Sequence, residues 1–112
     1  MAELIQQKCV PCEGGTKPFT RTEFTQYLPS VPGWTAINDD KAIVRDFKFK
    51  NFKEALAFVN KVGELAESEG HHPDINLHNW RKVKLTLSTH AIGGLSINDF
   101  ILAAKVDRLT SV

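Results

Sequence analysis

The segment Arg81–His90, RKVKLTLSTH, alternates between apolar and polar residues and is the feature that most restricts the fold. Val83, Leu85 and Leu87 share one parity, and the residues between them are polar. Successive side chains of a strand point to opposite faces, so this pattern predicts a strand with one apolar face. Such a strand belongs to a sheet that is covered on one side only.

A helix and a hairpin are predicted before this strand. Thr20 and Glu23 have the spacing of a capping box, which begins a helix that Pro29 ends after about two turns. A short strand over Trp34–Ile37 and the turn-forming residues 38–40 then lead into a second strand. In that strand Ile43, Phe47 and Phe49 share one parity, and Arg45 is its polar exception.

A longer helix follows, because the apolar period changes from two to three or four residues. Its predicted apolar stripe consists of Phe52, Leu56, Val59, Val62 and Leu65 or Ala66. Gly70 lies just past its end, and Ile75 and Leu77 indicate a short strand before Arg81. Ser96 and Asp99 then predict the start of a last helix.

The predicted order is helix-strand-strand-helix-strand-strand-helix. This order favours an α+β fold, a four-stranded antiparallel sheet with three helices on one face. Residues 1–18 are interpreted as an N-terminal arm and residues 19–112 as a single domain.

The composition and charge of the chain disfavour nucleic-acid binding and membrane insertion. The net charge is +1, and Lys and Arg form no concentrated block, which disfavours nucleic acid as a partner. No apolar run approaches the ~20 residues that cross a bilayer, and the N-terminus does not resemble a secretory signal. We therefore expect no membrane partner and a cytoplasmic location.

The two cysteines, Cys9 and Cys12, form one CxxC arrangement. A structural zinc ion would need two further ligands at a matching spacing, and a redox CxxC normally follows a strand. The expected reading is a pair of reduced thiols, with zinc as the minor alternative.

Adjacent His71 and His72 precede Pro73, which disfavours helical backbone for His72. In extended backbone neighbouring side chains point in opposite directions, so the two imidazoles should do different work. Glu67, four residues before His71, is predicted to orient it, whereas His90 should point away from the apolar side of its strand.

Three further expectations concern this region. His78 is interpreted as a surface histidine. The histidines could supply three metal ligands, but adjacent residues that point apart do not easily share an ion, and no standard metal-ligand spacing is present. We therefore expect no metal and no cofactor.

The pattern E-x3-H-H-P from Glu67 to Pro73, followed by Trp80, His90 and Asp99, resembles the pterin-4a-carbinolamine dehydratases. The resemblance extends roughly over 19–109. The CVPCEGG segment and the gap between Pro73 and Trp80 are similar to the bacterial and plant-type members rather than the animal ones.

The resemblance implies a homodimer or homotetramer that removes water from a 4a-hydroxytetrahydropterin in tetrahydrobiopterin recycling. It implies that the catalytic residues include His71 and His90 as acid and base, in unassigned order, and His72, which would bind the pyrimidine part of the ring. The other implied pocket residues are Glu67, Gly70, Pro73, Ser88 and Thr89. Asp99 is interpreted as mainly structural, at a helix N-terminus.

Two alternatives remain open. Animal relatives also act as a dimerisation cofactor for a homeodomain transcription factor, which would be a binding role. Other members are thought to serve further pterin-dependent pathways, including molybdenum cofactor metabolism.

Overall fold

The computed structural model describes residues 4–9 and 17–110. Four strands, β1 (Thr35–Ile37), β2 (Ala42–Lys48), β3 (Asp74–His78) and β4 (Lys82–Leu87), form one antiparallel sheet in the order β1-β2-β4-β3. Three helices, α1 (Arg21–Thr25), α2 (Phe52–Glu69) and α3 (Ile97–Thr110), cover one face. The predicted α+β architecture and element order are confirmed.

The strand parities are also confirmed, and they fix the register. Val83 and Leu85 of β4 lie opposite Phe47 and Arg45 of β2 and face the helices. The β3–β4 turn consists of Asn79, Trp80 and Arg81, between the paired His78 and Lys82, and both Asn79 and Trp80 have positive φ. In this order β1 and β3 are the edge strands.

The capping box that begins α1 is present. The Thr20 amide donates to Glu23 Oε1 at 2.9 Å, and the Glu23 amide donates to Thr20 Oγ1 at 3.3 Å. The helix is shorter than predicted, because it ends at Thr25, and Pro29 lies within a separate 3₁₀ turn over Leu28–Ser30.

The apolar stripe predicted for α2 is right at Val62 and Ala66, which are buried, but wrong in the first half of the helix. There the residues that enter the core are Ala55 and Phe58. Phe52 is instead 50% exposed and Leu56 42% exposed. The helix has two neighbouring apolar stripes, and periodicity alone does not tell which one faces its own sheet.

Arg45, the polar exception in β2, reaches an acidic partner at the margin of the core. Its Nη1 lies 2.6 Å from Asp107 Oδ1 of α3, and Trp34 Nε1 donates to the same oxygen at 2.9 Å. The guanidinium also lies over the Phe47 ring, 4.6 Å from its centre. An inward charge is tolerated here because it is paired.

The described part of the N-terminal arm packs against the domain. Leu4 is buried in the core, and the 3₁₀ turn Leu4–Gln6 contacts α3. Within 4–9 and 17–110, no helix is long and apolar enough to cross a membrane.

Candidate functional site

The exit from α2 sends its two histidines to different partners. Gly70, in the left-handed region at φ 67°, ends the helix, and the His71 amide still donates to the Ala66 carbonyl. His71 Nε2 lies 2.6 Å from Asp99 Oδ1, whereas His72 Nε2 lies 2.6 Å from Glu67 Oε1. The two side chains therefore diverge, as the extended backbone before Pro73 predicts.

The environments of these two pairs differ. The His71 side chain is 11% exposed and that of Asp99 is fully buried. The His72 side chain is 60% exposed and that of Glu67 is 79% exposed. A buried carboxylate holds an imidazole in place strongly, but an exposed pair is screened by water and contributes little.

Asp99 is the centre of a buried polar network. Its second oxygen, Oδ2, accepts from Thr89 Oγ1 at 2.8 Å and from the Ser96 amide at 3.0 Å. Thr89 Oγ1 in turn lies 2.8 Å from Ser96 Oγ. One carboxylate thus joins the exit of α2, the end of β4 and the start of α3.

Two predictions about these carboxylates need correction. Glu67 does not orient His71; it pairs with His72, because the left-handed Gly70 ends the helix before His71 and turns the chain. Asp99 does stabilise the start of α3, as predicted, but it also binds His71. The motif that contains His71 also contains Asp99, but the capping spacing accounts for Asp99 locally, so its contact with His71 was not predicted.

His90 and its neighbours lie at the end of β4. The strand stops at Leu87, and Ser88 is half-buried. Thr89 is buried and pairs with Gly94, and His90 begins the 3₁₀ turn His90–Ile92 with an exposed side chain. His90 therefore directly follows a residue bonded to the carboxylate that holds His71.

An open groove of about 690 Å³ adjoins this region. It runs between the outer side of α2 and strand β3, and Glu67 contributes to its wall. The lining residues are Val59, Asn60, Gly63, Glu64, Glu67 and Ile75. Pro73 is half-buried where the chain passes from His72 into β3.

His78 and Trp80 lie on the β3–β4 hairpin. His78 is half-buried and lines a separate cavity of about 320 Å³ with Asp46, Lys48 and Lys82. Trp80 is exposed at the turn, with the Arg81 guanidinium 5.6 Å from the centre of its ring.

Metal binding gains no support from the part of the chain that the structure describes. There, no three His, Cys, Asp or Glu side chains form a group that could hold a metal ion. The Cys9 thiol is directed at the Asn98 carbonyl, and Cys12 lies outside the described residues.

The site can therefore position one imidazole firmly for proton transfer. With Asp99 accepting at Nε2, Nδ1 of His71 is the nitrogen left to give or take a proton from a ligand. His72 and His90 are exposed, so they are free to meet a small molecule that enters from solvent.

Comparison with known proteins identifies relatives along the whole chain. The sequence profile of the family described as pterin 4 alpha carbinolamine dehydratase matches residues 17–109. A protein of Alkaliphilus metalliredigens, named as a candidate pterin-4-alpha-carbinolamine dehydratase, is 52% identical over 112 residues, which cover 99% of both chains. The Arabidopsis thaliana protein named pterin-4-alpha-carbinolamine dehydratase 2, mitochondrial, is 44% identical over 97% of this chain and 60% of its own length.

Two solved structures share the fold. The transcriptional coactivator/pterin dehydratase from Brucella melitensis has a TM-score of 0.78 and 30% identity, over 85% of this chain and all of that one. A pterin dehydratase-like protein, identified as a RuBisCO assembly factor in the alpha-carboxysome, has a TM-score of 0.61 and 26% identity, over 70% of this chain and 90% of that one.

Proposed function

Because the chain belongs to the pterin-4a-carbinolamine dehydratase family, we propose that it removes water from a 4a-hydroxytetrahydropterin and so takes part in tetrahydrobiopterin recycling. The hydroxyl on C4a leaves as water after it receives a proton, and N5 gives up its proton. The C4a–N5 bond becomes double, and the product is a quinonoid dihydropterin. One proton enters and one leaves, so the reaction requires an acid and a base but no redox partner.

The observation that carries this proposal is the buried His71–Asp99 pair. A carboxylate at Nε2 fixes the ring and the tautomer of His71, and this leaves Nδ1 to exchange a proton. His90 is the second proton-transfer group, because Thr89 holds its segment on the same carboxylate. The assignment of acid and base between His71 and His90 stays open.

His72 and the remaining pocket residues bind the pterin. Exposed His72 and Glu67 contact the pyrimidine part of the ring, and Ser88 with the buried Thr89 forms the wall near His90. Gly70 and Pro73 fix the backbone on either side of the two histidines.

The test is dehydration of freshly generated 4a-hydroxytetrahydropterin, followed by ultraviolet absorbance. We expect His71→Ala and His90→Ala each to lower kcat by about 10²–10⁴-fold, which is the usual contribution of a general acid or base. His78→Ala is the matched control, because this histidine lines a different cavity. Wild-type rates in both site variants would refute the acid–base assignment.

An exposed apolar surface supports the homodimer or homotetramer that the family resemblance implies. We name this surface the outer α2 strip, and it consists of the exposed Phe52 and Leu56 of α2, the half-buried Val59, and the exposed Ile75 of β3. Strand β3 is at the edge of the sheet. We propose that a second copy of the chain covers the strip in a homodimer or homotetramer.

A further inference from the structure

The described N-terminal residues 4–9 contact sequence neighbours of both His71 and Asp99 through one residue, Cys9. The Cys9 amide donates to Glu69 Oε1 at 2.9 Å, and its thiol donates to the Asn98 carbonyl at 3.5 Å. Glu69 is the last residue of α2, and Asn98 precedes Asp99 in α3. Cys9 therefore bridges the end of one helix and the start of the other.

Glu69 has both of its carboxylate oxygens occupied. Cys9 donates to Oε1, and Lys105 Nζ of α3 lies 2.8 Å from Oε2. The Glu69 side chain is only 5% exposed, and that of Lys105 is 16% exposed. A pair this buried is rigid when complete, because both charges have lost their water and depend on their partners.

The pKa shifts of Glu69 and Cys9 are consistent with a charged Glu69 carboxylate that accepts hydrogen bonds from Lys105 and Cys9. Burial alone would raise the pKa of Glu69, but the hydrogen bonds from Lys105 and the Cys9 amide outweigh it and hold the pKa below its ordinary value. Burial, followed by the nearby Glu69 charge, raises the pKa of the Cys9 thiol to about 12. At neutral pH Cys9 therefore keeps its proton and acts as a hydrogen-bond donor.

Glu69 lies close enough to His71 in the chain for its contacts with α3 to affect the position of that histidine. Only Gly70 separates it from His71, and the left-handed Gly70, whose amide donates to the Glu67 carbonyl, sets the direction in which the chain leaves α2. Glu69 is thus the last side chain tied to α3 before the histidine that meets Asp99. A shift of about 1 Å in a positioning group is enough to cost as much as 10²-fold in rate.

We propose that Glu69, held by Cys9 and Lys105, is a positioning residue that sets the alignment of His71 on Asp99. Through Cys9, the described N-terminal residues 4–9 then act as a clamp on the site. The effect on rate rests on the proposed dehydratase function, but the alignment itself does not.

The alignment can be measured without substrate. The short hydrogen bond between His71 and Asp99 should give a far-downfield imidazole N–H proton resonance that exchanges slowly with water. Asp99→Asn identifies the resonance by removing the charged acceptor. This spectrum is recorded beside kcat and KM for each variant.

The first variants are Glu69→Ala, which removes both contacts, and Glu69→Gln, which keeps one oxygen to accept from Cys9 or Lys105. In Glu69→Ala we expect the His71 N–H resonance to disappear because its proton exchanges faster with water. We also expect kcat to fall about tenfold with little change in KM. Glu69→Gln should be intermediate. Because Glu69→Ala leaves Lys105 unpaired, Glu69→Leu with Lys105→Met is the second route, since it removes both charges together.

The matched control is Arg45→Met. It breaks a different ion pair between the sheet and α3, and should leave both the resonance and kcat unchanged. Retention of both in Glu69→Ala, or equal loss of both in Arg45→Met, would overturn the proposal. Loss of the resonance in Glu69→Ala, with a wild type that does not accelerate dehydration, would support the clamp and refute the proposed function.

Discussion

Replacement of Asp99 by Asn should disable the site by reversing one hydrogen bond. The Ser96 amide is a fixed donor 3.0 Å from Oδ2, and the Thr89 hydroxyl donates to the same atom. The Asn oxygen must therefore take the Oδ2 position, because an NH₂ group there would face an N–H donor. The NH₂ group then faces His71 Nε2, which has to become an acceptor.

The altered tautomer explains the expected loss of activity. With Nε2 accepting, neutral His71 carries its proton on Nδ1, so it has no free nitrogen with which to take a proton as a base. As an acid it is disabled as well, because the imidazolium form loses the carboxylate acceptor at Nε2. A general acid or base is worth about 10²–10⁴-fold, and we expect kcat to fall within that range. The substrate-binding groups His72 and Glu67 are untouched, so KM should change little.

The same substitution has a calculable effect on stability. Hydrogen bonds to a charged group contribute roughly 1 kcal/mol more each than neutral ones, and the bonds from His71, Thr89 and Ser96 all become neutral. A loss of about 3 kcal/mol lowers Tm by about 12 °C in a chain of this size. The assay combines absorbance kinetics with thermal unfolding; a folded Asp99→Asn protein with the wild-type kcat would refute the reasoning.

Three further outcomes follow from the structure. In the Cys12→Ser variant, Cys9 is the one remaining thiol. Because the pKa of Cys9 is raised from 9.0 to about 12, its alkylation at pH 8 should be about 10³-fold slower than that of a free thiol. A rate equal to that of a free thiol would contradict the burial of Cys9. The lowered pKa of Glu69 gives stability that is present above its ordinary pKa of 4.5 and is lost as pH falls through its folded value. Glu69→Gln should therefore lose less unfolding free energy than wild type between pH 6 and pH 3 in urea titrations, and parallel curves would exclude this linkage. Leu56→Glu should shift the protein to a smaller species by sedimentation with the fold intact, whereas an unchanged mass would show that the outer α2 strip is not the interface.

The sequence was most informative where one local rule acted alone. Alternation predicted the faces of β2 and β4, because a strand has only two faces and one must be apolar. The capping residues Thr20 and Gly70 were recognised because a helix terminus needs particular backbone or side-chain chemistry. These elements depend on neighbours within a few residues.

Predictions failed where the local sequence allowed two structures equally well. Both apolar stripes of α2 suit a helix, and only the position of the sheet selects Phe58 over Leu56. Glu67 has suitable spacing for His71 on a continuous helix, but Gly70 turns the chain so that His72 receives the carboxylate instead. Asp99 belongs to the motif that carries the resemblance, but the capping rule explained it locally, so its contact with His71 was not predicted. In these cases contacts between residues far apart in the sequence determine which structure forms.

The difference in burial between the two adjacent histidines supports different roles for them. Proton transfer requires an imidazole whose distance to the reacting atom changes little, and His71 is held by a carboxylate that itself has two further donors. Substrate entry requires a group whose partner is easily displaced, and the exposed Glu67 bond to His72 is of that kind, since water competes for both members. Exchange of the two environments would leave a rigid binding residue and a loosely held proton-transfer group. The backbone turn at Gly70, which separates their directions, is therefore as necessary to the proposed chemistry as the imidazoles themselves.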